Sequence, residues 1–119
     1  LNRREAEQRG RRSERIAALW LRLKGYRILA VRVRTPIGEV DLVARRGRSL
    51  VFVEVKSRDD PDDAGAAIAP HQLRRVARAA NLLLGRYMAD CRSARIDAVI
   101  VARGRLPIHL EAVVDGDWR

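Results

Sequence analysis

The residues able to do chemistry stand in two short runs, Gly38-Glu39-Val40-Asp41 and Glu54-Val55-Lys56. Side chains alternate along a strand, so Glu39 and Asp41 share one face and Glu54 and Lys56 share one face of the next strand. With Gly47-Arg48 as a two-residue hairpin turn, Asp41 stands opposite Glu54 and Glu39 opposite Lys56. A four-residue loop keeps that register, whereas an odd-length loop or a bulge breaks it. Opposed residues have Cβ atoms about 4.5–5.5 Å apart, and like charges there destabilise a hairpin. A hard divalent cation offsets this, because Mg²⁺ takes carboxylate oxygens and keeps several waters. Lys56 lies about 6–7 Å along the same face, where a compact cation can hold a water or a phosphate oxygen. The chain has 25 cationic residues and only Lys24 and Lys56 are lysines. At Lys56 that choice suits a group whose pKa shifts, which arginine cannot supply. The competing reading is a solvated Glu54/Lys56 pair on an exposed sheet face. Against it, Val51, Val53 and Val55 make one face of that strand apolar and Leu50 and Phe52 the other.

The elements around these runs follow from periodicity. Residues 1–12 are polar without a hydrophobic period and read as a mobile basic arm, leaving 13–119 as a single domain. From Ser13, the spacing of Ile16, Leu19, Trp20 and Leu23 predicts an amphipathic helix ending at Gly25. Glu14 lies opposite that stripe, near Ala17, Ala18 and Leu21, on either a second packed face or a solvent face. Arg27–Arg34 reads as a strand with Leu29, Val31 and Val33 on one face, and Thr35-Pro36-Ile37-Gly38 as a turn. Glu39–Arg45 is a second strand with Val40, Leu42 and Ala44 together, and Leu50–Lys56 a third. Asp59-Asp60-Pro61-Asp62-Asp63 reads as a solvated acidic loop whose spacing matches no calcium site. A second helix carries Leu73, Val76, Ala77, Ala80, Leu84 and Met88 at helical spacing, with Pro70 in its first turn. Ile96–Ala102 reads as a buried strand, and Leu106, Ile108 and Leu110 as an edge strand. The order is αβββαββ, a mixed α/β domain with a central sheet. Asp97 reads as a structural acid paired with a nearby arginine, His71 and His109 as surface residues, and Trp20 and Trp118 as packing residues.

Charge and composition narrow the partners. The chain has 119 residues and a net charge of +10, with 47% hydrophobic and 34% charged residues, a globular composition. Residues 1–34 hold eleven basic and three acidic side chains, and residues 71–95 hold six and one, so the excess sits in the two helical segments. Such segregation favours a polyanion, most simply nucleic-acid phosphate; an arginine-biased composition is the alternative. No run reaches the roughly 18–20 apolar residues of a membrane span. The N-terminus shows no apolar signal segment, and a cytoplasmic domain is expected. The single cysteine, Cys91, excludes intrachain disulfides and cysteine-based zinc sites.

Gly38-Glu39-Val40-Asp41-Leu42-Val43, followed by Val51-Phe52-Val53-Glu54-Val55-Lys56-Ser57-Arg58, closely resembles the YraN-like family of small bacterial proteins. That family is assigned to the restriction-endonuclease-like, PD-(D/E)xK, nucleases and is similar to archaeal Holliday-junction resolvases. The resemblance runs from about Gly10 to Val114. It implies an αβββαβ core, here with an extra C-terminal edge strand, and Mg²⁺-dependent phosphodiester hydrolysis, with Mn²⁺ able to substitute. It implies Asp41 and Glu54 as metal ligands, Lys56 as the catalytic lysine, and Glu14 as a further acidic position of the site. Glu39 and Gln72 are additional candidates. Departures are Ser13 where the family often has Gly, Arg32 where Asn is common, and Gln72 where Lys is usual. The expectation is a DNA endonuclease acting on duplex or branched DNA. Arg74, Arg75 and Arg78, with Arg11 and Arg12, are expected to contact phosphates. The alternative is a non-catalytic DNA or RNA adaptor. A four-way substrate would favour a two-fold homodimer, and no membrane partner is expected.

Overall fold

The computed structural model describes residues 2–59, 68–114 and 118. The elements run α1 (Arg3–Leu23), β1 (Arg27–Arg34), β2 (Glu39–Arg46), β3 (Ser49–Arg58), α2 (Pro70–Tyr87), β4 (Ser93–Ala102) and β5 (Ile108–Leu110), in the expected order. Beyond Asp59, the expected acidic loop lies outside the described residues. The five strands form one mixed sheet in sequence order. β1, β2 and β3 are an antiparallel meander, α2 carries the chain over to β4 parallel to β3, and β5 returns antiparallel.

α1 starts ten residues earlier than the hydrophobic period predicts. The Asn2 side chain caps it by accepting the Glu5 N–H at 2.8 Å, and Arg3 pairs with Glu7 one turn on. Residues 3–12, expected as an arm, are therefore the first turns of the helix. A polar segment needs no apolar stripe to be helical when it is capped and continuous with a packed helix.

The buried face of α1 also differs from the predicted one. Ser13, Ala17, Ala18 and Leu21 face the sheet, whereas Ile16, Leu19 and Leu23 are 39%, 57% and 72% exposed. Small side chains let the helix lie close on the strands, so the face with alanines packs although the other stripe is bulkier. Ala17, Ala18 and Leu21 cluster with Tyr26, Leu42, Ala44, Val51, Val53 and Val99. On the other side of the sheet, Val76, Ala79, Ala80 and Leu83 of α2 pack on Val43, Leu50, Phe52 and Ile96, with Trp118 edge-on to Phe52.

The β1–β2 ribbon turns over partway along. Val31 pairs with Leu42 and Val33 with Val40, yet Leu42 belongs to the α1 side while Val33 and Val40 pack on the α2 side. Between them stands Arg32 with φ of 49°, a left-handed conformation that asparagine tolerates better than arginine. Strict alternation, which groups Val40 with Leu42 and Ala44, fails at this point. Asp41 sits beside the turnover.

Candidate active site

The predicted β2–β3 register holds from Arg46 paired with Ser49 down to Leu42 paired with Val53, and there the ladder stops. Asp41 takes its place in the hydrogen bonding: its Oδ2 accepts the Val55 N–H at 2.7 Å. A side-chain oxygen thus replaces a strand carbonyl, and the two strands part around the carboxylate. Asp41 and Glu54 nevertheless meet as predicted, joined by a side-chain hydrogen bond. Lys56 Nζ lies 3.2 Å from Glu54 Oε1, with only 22% and 12% of the two side chains exposed. The predicted opposition of Glu39 and Lys56 is not formed. Glu39 is drawn to Arg34, its β1 neighbour, at 3.6 Å.

Two carboxylates in hydrogen-bond contact must share a proton. Burial, then the Asp41 charge, push Glu54 up to about 7, against the pull of Lys56. Burial also raises Asp41 above its ordinary value, opposed by the hydrogen bonds from Val55 and Glu54. The pair therefore keeps a proton in the place where a cation would sit until pH rises through about 7.

Glu14 lies on the packed side of α1, which decides between the two orientations open to it. Burial, then the Asp41 charge, raise its pKa. Arg32 Nε approaches Glu14 Oε1 to 2.9 Å, yet that buried oxygen accepts no hydrogen bond. An orphaned carboxylate oxygen beside a proton-sharing pair is a donor set that suits a hard divalent ion. Asp41 and Glu54 would be its ligands. Glu14 stands one step back: it feels the Asp41 charge and is ion-paired with Arg32.

The arginines divide among three places. Arg11 and Arg32, with Arg15 and Arg22, line a pocket of about 240 Å³ that contains Glu14. Arg75 of α2 lies against Gly38, where a Cβ would meet its Cγ at 2.9 Å, so α2 reaches the start of β2. Arg74 and Arg78 line a groove with Ile37 and Trp118. Arg12 lines a different cleft from Arg11. Gln72 is half-buried in the first turn of α2, and among the described residues it bonds to none of Asp41, Glu54 and Glu14. Arg32 escaped the sequence reading as a site residue; its signal was a departure from the asparagine that the resemblance implied there.

A second polar cluster lies at the far end of α1. The fully buried Asp97 accepts from Arg95 Nε at 2.9 Å, from the Ala112 N–H at 2.9 Å and from His109 Nε2 at 2.7 Å. Its pairing with an arginine is as predicted. His109 is a correction: its side chain is only 2% exposed, because Lys24 Nζ covers Nδ1 while Nε2 serves Asp97. The lysine can only donate, so Nδ1 accepts and the proton resides on Nε2. Asp97, His109 and Glu111 could bring three ligand atoms within 4.8 Å of one another. The guanidinium of Arg95 already occupies that position, bonded to both Asp97 and Glu111. This cluster is a structural clasp. His71 is exposed, as expected.

Comparison with known proteins adds one consistent result. The model of the uncharacterised protein family UPF0102 matches residues 13–101. A UPF0102 protein of Sphingopyxis alaskensis is 54% identical over 110 residues, covering 92% of this chain and 95% of its own. A UPF0102 protein of Rhizorhabdus wittichii is 54% identical over 117 residues, covering 98% and 99%. One from Caulobacter vibrioides is 50% identical over 107 residues, covering 88% and 85%.

Proposed function

The chain belongs to the UPF0102 family, and from that premise we propose that it is a divalent-metal-dependent phosphodiesterase acting on DNA, built on a restriction-endonuclease-like core. The observation that carries this reading is the parting of β2 and β3 at Asp41, which gathers Asp41, Glu54 and Lys56 at one end of the sheet. The αβββαβ order, with the Glu-x-Lys strand parallel to β4, supports the core assignment.

Asp41 and Glu54 would hold Mg²⁺ or Mn²⁺, assisted by Glu14. A bound divalent ion supplies charge neutralisation for the scissile phosphate and lowers the pKa of a water. Lys56, fixed by Glu54, presents an ammonium to the attacking water or to a phosphate oxygen. The Val55 N–H holds Asp41 in one rotamer, so the pair is pre-organised. Water adds to phosphorus, one ester P–O bond breaks, and the departing oxygen takes up a proton. The arginines of α1 and α2 position the backbone without reading sequence.

The test is cleavage of linear, nicked, flap and four-way DNA, with Mg²⁺ and with EDTA. Wild type should cut at least one substrate only with the metal. Asp41→Ala and Lys56→Ala should abolish cutting while binding stays nearly unchanged, because arginines supply the affinity. Binding without cleavage on every substrate would instead make the protein a nucleic-acid adaptor.

A further inference from the structure

A cleft of about 600 Å³ lies apart from Asp41, Glu54 and Glu14. It opens between the N-terminal half of α1 and the C-terminal ends of β3 and β4, with Arg9, Arg12, Arg58 and Arg103 around it. Ser57 lies in it, and its hydroxyl accepts from Arg9 Nε at 2.8 Å. The same guanidinium reaches Asp59 at 2.8 Å, but that carboxylate is 88% exposed, so salt and solvent weaken the pair. No aromatic side chain lines the cleft among the described residues, which leaves bases nothing to stack on. Arginines outnumber the two acids of the lining, Glu5 and Asp59, and that balance of charge suits phosphate.

Position ties the cleft to the site. Ser57 and Arg58 directly follow Lys56 on β3, and Ser13, which also lines the cleft, directly precedes Glu14 on α1. One strand residue advances about 3.3 Å, and successive phosphates of a duplex strand advance about 3.4 Å along its axis. A nucleic-acid strand laid across this end of the sheet, with one phosphate at Lys56, can reach the cleft with a neighbouring phosphate.

We propose that the cleft is a phosphate-binding subsite for the nucleic-acid backbone beside the scissile bond, gripping it through Arg12, Arg58 and Arg103. The inference rests on the nuclease reading and extends it. α1 and α2 cover opposite faces of the sheet, so the cleft holds the substrate from the α1 side while Arg74, Arg75 and Arg78 hold it from the α2 side. The substrate then crosses the end of the sheet where β2 and β3 part.

The test measures binding of labelled duplex and four-way DNA by anisotropy in EDTA, across about 50 to 200 mM salt. The variants are Arg12→Gln with Arg103→Gln, and separately Arg74→Gln with Arg78→Gln. Both cleft arginines are exposed, so melting temperature should not change. The cleft variant should bind about tenfold more weakly to all sequences alike and lose about 2 from the salt slope. If it binds like wild type while the α2 variant is weakened, the cleft proposal falls and the nuclease reading stands. If it is weakened but wild type never cuts with Mg²⁺, the subsite stands and the nuclease reading falls. If wild type binds neither DNA, both fall.

Discussion

Asp41 and Glu54 compete for one proton, and the free energy of that competition is measurable. Glu54 rises from an ordinary value of 4.5 to about 7 on folding, so the folded chain binds its proton more tightly than the unfolded chain does. Stability from this group is therefore greatest below about 4.5, declines as pH rises to about 7, and levels off above. A shift of that size sets a ceiling of roughly 3 kcal/mol. Glu54→Gln imitates the protonated acid at every pH. Thermal melts in EDTA should show it more stable than wild type at pH 8, by about 3–6 °C for each kcal/mol, with the difference closing by about pH 4. A wild type relatively more stable at pH 8 than at pH 5 would mean that the two carboxylates are not in contact. If Mg²⁺ binds as proposed it must displace the shared proton, so its stabilisation of wild type should be larger at pH 8 than at pH 5.

At the scale of elements, the rotation of α1 decides what Glu14 can do. Turned as the bulky stripe predicts, the helix would point Glu14 away from the sheet; packed through Ala17, Ala18 and Leu21, it brings Glu14 into the field of Asp41. The far end of the helix is clasped by Asp97, which ties β4 to β5, to Ala112 and, through His109, to Lys24 after α1. Although burial alone would raise it, the hydrogen bonds from His109, Arg95 and Ala112 prevail and hold Asp97 below its ordinary value of 3.8. Its stabilisation is complete above about that pH and disappears as pH falls through the depressed value. Asp97→Ala leaves Arg95 and His109 without their partner and should cost about 3–5 kcal/mol in urea unfolding at pH 7. A cost under about 1 kcal/mol would show that the clasp contributes little. Because the clasp lies away from Asp41, that variant should keep whatever divalent-dependent activity its folded fraction has.

For the whole molecule, the distribution of charge matters more than its sum. Of the net +10, four charges lie in α1 and four in α2, on the two faces of the sheet, and β1 carries three further arginines. Replacing Arg74, Arg75 and Arg78 with Ala should weaken DNA binding for all sequences alike. It should also flatten the log–log salt dependence by up to roughly 2–3, at about 0.9 per phosphate released. An affinity that barely moves between about 50 and 200 mM salt would remove phosphate as the main partner contact. Among the described residues, no helix is long and apolar enough to cross a membrane.

The order of elements, the β2–β3 register as far as Leu42 and Val53, and the meeting of Asp41 with Glu54 and Lys56 were legible in the sequence. Local alternation and a two-residue turn determine them without reference to the rest of the chain. The faces of α1 and of the β1–β2 ribbon were not legible. A helix with two apolar stripes is committed to one only by the surface it meets, and here close approach to the sheet favoured Ala17 and Ala18 over Ile16 and Leu19. The turnover at Arg32 depends on a left-handed residue for which arginine offers no signal of its own. His109 reads as a surface residue until β5 lays it against Asp97 and the end of α1 closes over it with Lys24. Local periodicity encodes which residues share a strand face, whereas only the packed elements decide which face is buried and which distant groups share a proton.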